Sequence, residues 1–365
     1  MKALFVANFN SFHLQFNMPY VRHLSDLGFK VSLVSGGENV YEGIDKHYNI
    51  AFSRKPWSFK NIRSFFKLRK VFSEYYDIIY FSTSVVGSFG RLALIGKKRG
   101  RVIYSAHGYN FYSVSGKECG KIFIPVERLL AKVCDCIFTM NEEDYQATLR
   151  YGIKCKEVYN LPGVGINTKR FQKLDASEKK LLRERAGFNP DSFILFYAAE
   201  LTSRKNQIVL FPVIKRLVER GLNVQLLLAG SGALENKYKT IVKDMGLEQY
   251  VSFLGFRRDV PNLLSLSDVL FASSLTEGLP INMIEGLASG LPVVATKVRG
   301  HVDLIEEGKN GFLFDPSDSG KASQDIERLV LDNKLYQAMS SNARSSAQKY
   351  DIEEVLPQYD KVWGI

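Results

Sequence analysis

Residues 273–296 read SSLTEGLPINMIEGLASGLPVVAT. Glu277 and Glu285 stand on either side of a helix start in this stretch. Pro280 suits the first position of a helix, where its missing N–H costs nothing. Gly290 stops that helix, and Pro292 follows. The N–H groups of Ile281, Asn282 and Met283 are then expected free at the helix mouth, where an anion is favoured. Two carboxylates bracketing an anion site can accept hydrogen bonds from hydroxyls on either side of a phosphate. Sugar hydroxyls on one side and ribose hydroxyls on the other fit that spacing. The plainer alternative is a capped helix with an exposed glutamate.

Three further stretches carry candidate chemistry. In ELTSRKNQ, Arg204 and Lys205 lie between an apolar run and the next helical segment. Two cations beside a helix N-terminus make a phosphate site, although two solvated surface charges look the same in sequence. In LAGSG, Gly230 and Gly232 permit a tight turn and close backbone approach to a ligand, as many ligand-free turns also do. In YSAHGYNFY, His107 follows the run RVIYSA.

The elements that must position these residues alternate in kind. ALFVAN, KVSLVS, DIIYFST, RVIYSAH and DCIFTMN are short apolar runs suited to buried strands. After the Pro/Gly-containing stretch NLPGVGINTKRF the series resumes with FILFYAAE, NVQLLLAG, YVSFLG, DVLFASS, PVVATK and GFLFD. Strands alternating with helices imply parallel sheets, whose ligands bind at the C-terminal strand ends. The expected fold is α/β, with two doubly wound, Rossmann-like parallel-sheet domains facing a crevice. The boundaries read as 1–165 and 166–345, with a helical segment over 346–365 that can pack back on the first domain. A chain of 365 residues suits two domains. Its 45% apolar and 24% charged content is that of an ordinary folded protein.

Several classes are disfavoured. No run approaches the roughly 18 apolar residues of a membrane-spanning helix. MKALFVANFN reads as a first strand rather than a leader, so the cytoplasm is the expected location. The four cysteines, Cys119, Cys134, Cys136 and Cys155, lack metal-site spacing and read as reduced thiols. The net charge of +11 is uneven: residues 1–165 hold 23 Lys+Arg against 13 Asp+Glu, whereas 166–365 hold 26 against 25. A basic first half suits an acidic partner.

EGLPINMIE followed by GLASGLPVVAT resembles the E-x7-E signature of the retaining glycosyltransferases of family 4. RGHVDLIEEGKNGFLFDPSD resembles the segment that follows it there, and NLPGVGINTKRF the family's interdomain linker. LAGSG and the RKN loop fall where the family has its other donor contacts. The resemblance covers nearly the whole chain and implies the GT-B architecture, with a nucleotide sugar held by the second domain and the acceptor by the first. It implies that Glu277 bonds the transferred sugar, that Glu285 holds the ribose hydroxyls, and that Arg204 and Lys205 neutralise the diphosphate. By the same token the amides of Gly278, Leu279, Ile281 and Asn282, around Pro280, contact sugar and phosphate, Gly230 and Gly232 belong to the donor site, and His107 faces the reacting carbon. Two departures stand out. The family's usual Arg five positions before the loop lysine is here Glu200, so Arg204 is expected to substitute. The first strand lacks the Gly-Gly turn many members carry. His13, in the loop that replaces it, and Asn110 are candidate acceptor contacts.

The implied reaction is a retaining, metal-independent transfer of a hexose or N-acetylhexosamine, with no cofactor. The donor is expected to be UDP-linked and the acceptor a lipid-diphosphate-linked saccharide, in capsule or exopolysaccharide assembly. A sugar-nucleotide epimerase of the same fold is the alternative. Residues 53–72, SRKPWSFKNIRSFFKLRKVF, hold seven cations, no acid and interleaved aromatics. Lys60, Arg63, Lys67 and Lys70 share one face of a helix, with Ile62, Phe65, Phe66 and Phe72 expected largely on the buried one. Nucleic acid does not fit the second-half motifs. The basic face is expected either to be solvated or to lean the enzyme on an anionic membrane, giving a peripheral location on the inner face.

Overall fold

A computed structural model describes every residue except 38–42, 54, 56–57, 110 and 112–119, and the side chain of Ile122. Arg54 and Trp57 of the basic stretch, Cys119, and the candidate acceptor residue Asn110 lie outside the described residues. The chain divides into two units, residues 1–165 with 352–365 and residues 166–351.

Unit 1 is built on seven parallel strands in the order β3-β2-β1-β4-β5-β6-β7. In chain order these are β1 (Lys2–Phe9), β2 (Lys30–Gly36), β3 (Lys46–Asn49), β4 (Ile78–Ser82), β5 (Arg101–Ala106), β6 (Cys136–Thr139) and β7 (Glu157–Asn160). The inner strands are near-continuous apolar runs because helices cover both faces of a parallel sheet. The two edge strands, KHYN and EVYN, were not read from the sequence. The last helix, Ile352–Trp363, belongs to this unit. Its Tyr359 stacks on Tyr20 at 4.1 Å, and the buried Trp363 meets Phe5 edge-on.

Unit 2 repeats the plan with six parallel strands in the order β10-β9-β8-β11-β12-β13. They are β8 (Phe193–Ala198), β9 (Val224–Ala229), β10 (Val251–Gly255), β11 (Val269–Ala272), β12 (Val293–Thr296) and β13 (Gly311–Phe314). In both sheets the chain winds outward one way from the first strand and then restarts on its other side. In unit 2 that switch point lies between β8 and β11. The loops leaving their C-terminal ends therefore lie side by side, where open α/β sheets bind ligands.

One helix departs from its expected orientation. Helix Phe59–Val71 buries Asn61, Ser64, Leu68 and Val71 and leaves Phe59, Ile62 and Phe66 exposed. Asn61 accepts from the Ser53 amide at 2.8 Å and donates to the Lys55 carbonyl at 3.0 Å. Ser64 donates to the Ala51 carbonyl at 2.6 Å. These bonds to the preceding segment fix the roll of the helix. Ile62 and Phe66 are thus outside, Phe65 is half-buried, and only Phe72 of the expected four is in the core.

Candidate active site

Glu277 sits in the loop after β11, and Arg204 and Lys205 in the loop after β8. Lys205 Nζ lies 2.5 Å from Glu277 Oε1, and Arg204 Nη1 lies 3.1 Å from Oε2. Ser274 Oγ donates to Oε1 at 2.6 Å and shares a 2.7 Å hydrogen bond with Tyr197 Oη. Burial by itself would raise the Glu277 carboxyl, but Lys205 and Arg204 outweigh it and hold the group below the ordinary carboxylate range. The two loops are also tied through the backbone. Leu275 N donates to Arg204 O at 2.9 Å, and Ser273 Oγ donates to Lys205 O at 2.8 Å. Asn206, next to Lys205, takes the left-handed conformation that asparagine tolerates (φ +54°).

Helix Ile281–Ala288 starts just beyond Glu277, with Pro280 at its N-cap rather than its first turn. The Met283 N–H, expected free, donates to the Pro280 carbonyl at 3.0 Å. The N–H groups of Gly278, Leu279, Ile281 and Asn282 have no partner among the described residues. The Asn282 side chain donates to Ala198 O at 2.9 Å and pins the helix mouth to the end of β8. Gly290 ends the helix at φ +74°. Glu285 is half-buried, and its carboxylate has no hydrogen-bond donor among the described residues. Burial pushes its pKa up to about 7, with Arg170 offsetting part of the cost.

Gly230 and Gly232 have a definite task. A Cβ on Gly230 (φ +141°) would stand 2.1 Å from the Ala199 carbonyl oxygen, and one on Gly232 would stand 2.3 Å from that of Leu201. The backbone that approaches them is the loop after β8, so they set the position of the strand end that leads to Arg204 and Lys205.

Sequence reasoning missed the support behind Glu277. Arg299 Nε donates to Glu277 O at 3.0 Å, and Glu277 N donates to Arg299 O at 3.3 Å. Gly300, at φ +81°, lies so close that a Cβ there would stand 2.6 Å from the Gly278 carbonyl oxygen. Buried Thr296 donates to Ser274 O at 2.6 Å, and His301 Nδ1 lies 2.8 Å from Thr296 O. The RGH run at 299–301 was legible only as part of a longer resemblance.

The two candidate histidines of unit 1, His107 and His13, differ. His107, just after β5, has Nε2 buried with no hydrogen-bond partner among the described residues, and its ring meets Phe12 edge-on at 5.0 Å. Burial lowers its pKa to about 4, so the ring is neutral. His13 is fully buried: Nε2 lies 3.0 Å from the Val34 carbonyl, and Nδ1 lies 2.9 Å from the Asn17 amide nitrogen. Both nitrogens are engaged inside the fold, so the geometry gives His13 a structural task and leaves the acceptor reading without support. Cys134, Cys136 and Cys155 are free thiols.

A sheet switch point with a carboxylate between two cations beside an open helix mouth is chemically suited to an anionic ligand that also carries hydroxyls. The family Glycosyltransferase Family 4 matches residues 20–167, and Glycosyl transferases group 1 matches residues 178–346. EpsD of Bacillus subtilis (strain 168), a protein named as a glycosyltransferase, is 34% identical over 98% of this chain and 96% of its own length. The chain belongs to these group 1, family 4 glycosyltransferases. The UDP-Gal:alpha-D-GlcNAc-diphosphoundecaprenol alpha-1,3-galactosyltransferase of Escherichia coli is 28% identical over 78% of this chain and 74% of its own. The crystal structure of Anabaena Alr3699/HepE in complex with UDP and glucose superposes with a TM-score of 0.80 at 20% identity, covering 100% of this chain and 99% of that one. The fold is that of the GT-B enzymes. No helix among the described residues is long and apolar enough to cross a membrane.

Proposed function

We propose that the enzyme transfers a hexose or N-acetylhexosamine, with retention of configuration, from a UDP-sugar to a lipid-diphosphate-linked saccharide in polysaccharide assembly. The observation that carries this is the grouping of Lys205 and Arg204 on Glu277, beside amides with no partner among the described residues at the mouth of helix Ile281–Ala288. The donor diphosphate is the anion that the two cations and the helix mouth suit, and it takes the place of the Glu277 carboxylate on Lys205 and Arg204. Glu277, released, accepts from a hydroxyl of the sugar, and Glu285 accepts from the ribose. Gly278, Leu279, Ile281 and Asn282 supply backbone donors around Pro280, and Gly230 and Gly232 shape the wall. The relatives support the finer terms: one is named for UDP-Gal and a diphosphoundecaprenol acceptor, and a structure of the same fold holds UDP and glucose. The relatives that match over most of this chain are named as transferases, which favours transfer over epimerisation.

In the proposed step, the bond from the anomeric carbon to the diphosphate oxygen breaks. The acceptor oxygen bonds to the same face of that carbon, and its proton passes to a phosphate oxygen of the departing UDP. Charge builds on the diphosphate, so donors fixed in advance are the largest catalytic contribution. Lysine and arginine are proposed to serve there in place of a metal ion. His107, neutral and with Nε2 unpaired among the described residues, is proposed to meet the sugar.

The test is transfer from a panel of UDP-sugars to a lipid-diphosphate-linked saccharide, with product configuration read by NMR. Lys205→Ala should lower the rate by about 10²–10³, and Glu277→Gln should be similarly impaired. Full activity in both variants would overturn the site assignment. An inverted product would overturn retention, and activity lost with EDTA and restored by Mg²⁺ would overturn the metal-free step.

A further inference from the structure

Helix Phe59–Val71 turns its better-packing residues the wrong way for an ordinary surface helix. Phe59 is 86% exposed, Phe66 64% and Ile62 51%, while Asn61 is completely buried. The three apolar residues recur at intervals of three and four, so they form one strip along the helix. Lys70, Arg63, Lys67 and Lys60 form the adjoining strip, and all four are exposed without an acidic partner among the described residues. The outer face is therefore half apolar and half cationic. An isolated exposed leucine or phenylalanine is common and needs no explanation; a strip locked outward by buried Asn61 and Ser64 does.

The strip continues onto the neighbouring segment. Arg69, on the Ile62 and Phe66 edge, donates from Nη1 to the carbonyls of Ala93 and Ile95, both at 3.0 Å. That contact brings the end of helix Ser84–Leu94 alongside, and Leu92 and Ile95 are exposed there. Lys97 and Lys98 follow directly and, among the described residues, have no acidic partner. Apolar side chains thus run down the middle, with cations on both sides.

We propose that this face of unit 1 seats in the interfacial region of an anionic lipid bilayer, with Phe59, Ile62, Phe66, Leu92 and Ile95 inserted among the acyl-chain boundary. Lys60, Arg63, Lys67, Lys70, Lys97 and Lys98 sit at the headgroups. Apolar insertion alone would suit any bilayer, and cations alone would give only salt-sensitive attraction; the two together are the composition of an interfacial helix. Nucleic acid would use the cations and could stack on Phe59 and Phe66, but it has no use for exposed Ile62, Leu92 and Ile95. A protein partner would bury both, but the excess of unpaired positive charge then needs an equally acidic partner surface. Because vesicle binding needs neither nucleotide nor acceptor, failure here is separable from failure of the proposed reaction.

Co-sedimentation with phosphatidylcholine vesicles, and with mixed phosphatidylcholine–phosphatidylglycerol vesicles, reads the surface directly. The wild type should partition onto the anionic vesicles and retain a fraction resistant to high salt. Charge reversal of Lys60, Arg63, Lys67 and Lys70 together should cut partition at least tenfold. Phe59→Ser with Phe66→Ser should leave salt-sensitive binding and abolish the salt-resistant fraction. All these side chains are outside the core, so melting temperatures should stay at the wild-type value and certify the fold. Unchanged binding in both variants overturns the proposal. So does a wild type that ignores anionic vesicles, whether it instead binds RNA, self-associates through this face or does neither.

Discussion

Replacing Glu285 with glutamine should stabilise the ligand-free enzyme and weaken its hold on donor. Burial raises the Glu285 carboxyl from the ordinary 4.5 to about 7, with Arg170 pulling the other way. The folded protein therefore keeps a proton that the unfolded chain gives up. Stability is fully present below about pH 4.5 and falls as pH rises through 7, because the folded state must then carry an unpaired buried charge. A shift of that size corresponds to about 3 kcal/mol above pH 7. Part of the carboxylate reaches water and Arg170 offsets part of the cost, so about 1–3 kcal/mol should be realised. In a unit of this size that is roughly 2–10 °C in melting temperature. Glu285→Gln removes the titrating group. Its melting temperature should match the wild type near pH 4.5, pull ahead between pH 5 and 7, and hold its lead at pH 8. UDP binding by the variant should be weaker at pH 8 by about tenfold, from the lost charge-assisted hydrogen bonds. Scanning calorimetry across pH and titration with UDP read the two effects. A melting difference that is equal at pH 5 and pH 8, or a variant less stable at pH 8, would refute the burial argument.

Two other substitutions separate scaffold from site. Gly300→Ala places a methyl 2.6 Å from the Gly278 carbonyl oxygen at a left-handed φ; it should displace the Glu277 loop, lowering kcat at least tenfold while costing about 1–3 kcal/mol in denaturant midpoint analysis. His13→Ala should cost about 2–4 kcal/mol through a cavity and unpaired Asn17 and Val34 groups, yet leave the acceptor KM unchanged in whatever protein folds; a raised KM at unchanged stability would restore the acceptor role.

The strands that were legible are those with apolar runs, and the two that were not, β3 and β7, are edges. KHYN and EVYN have half-exposed or exposed residues throughout, so no burial pattern marks them. Lys205, Arg204 and Glu277 could be placed at strand ends from spacing. That all three would touch depends on β8 and β11 being neighbours, which is a property of strand order. Ser274 acts through its hydroxyl, Arg299 through its side chain and backbone, and Gly300 through close backbone approach, and a serine, arginine or glycine near a loop carries no such signal alone. Hydrophobicity does not decide which face of helix Phe59–Val71 is buried; the hydrogen bonds that Asn61 and Ser64 make with the preceding segment do.

The chain begins unit 1, makes all of unit 2, and only then returns with helix Ile352–Trp363. During synthesis a first domain ordinarily folds before the second emerges. Here Phe5 and Tyr20 must wait for Tyr359 and Trp363, which leave the ribosome after residues 166–351. Unit 2 is continuous in sequence and can be complete first. Unit 1 meanwhile holds an open apolar seat on its sheet, so the newborn chain is most exposed to chaperones, and to aggregation, in the half that was made earliest.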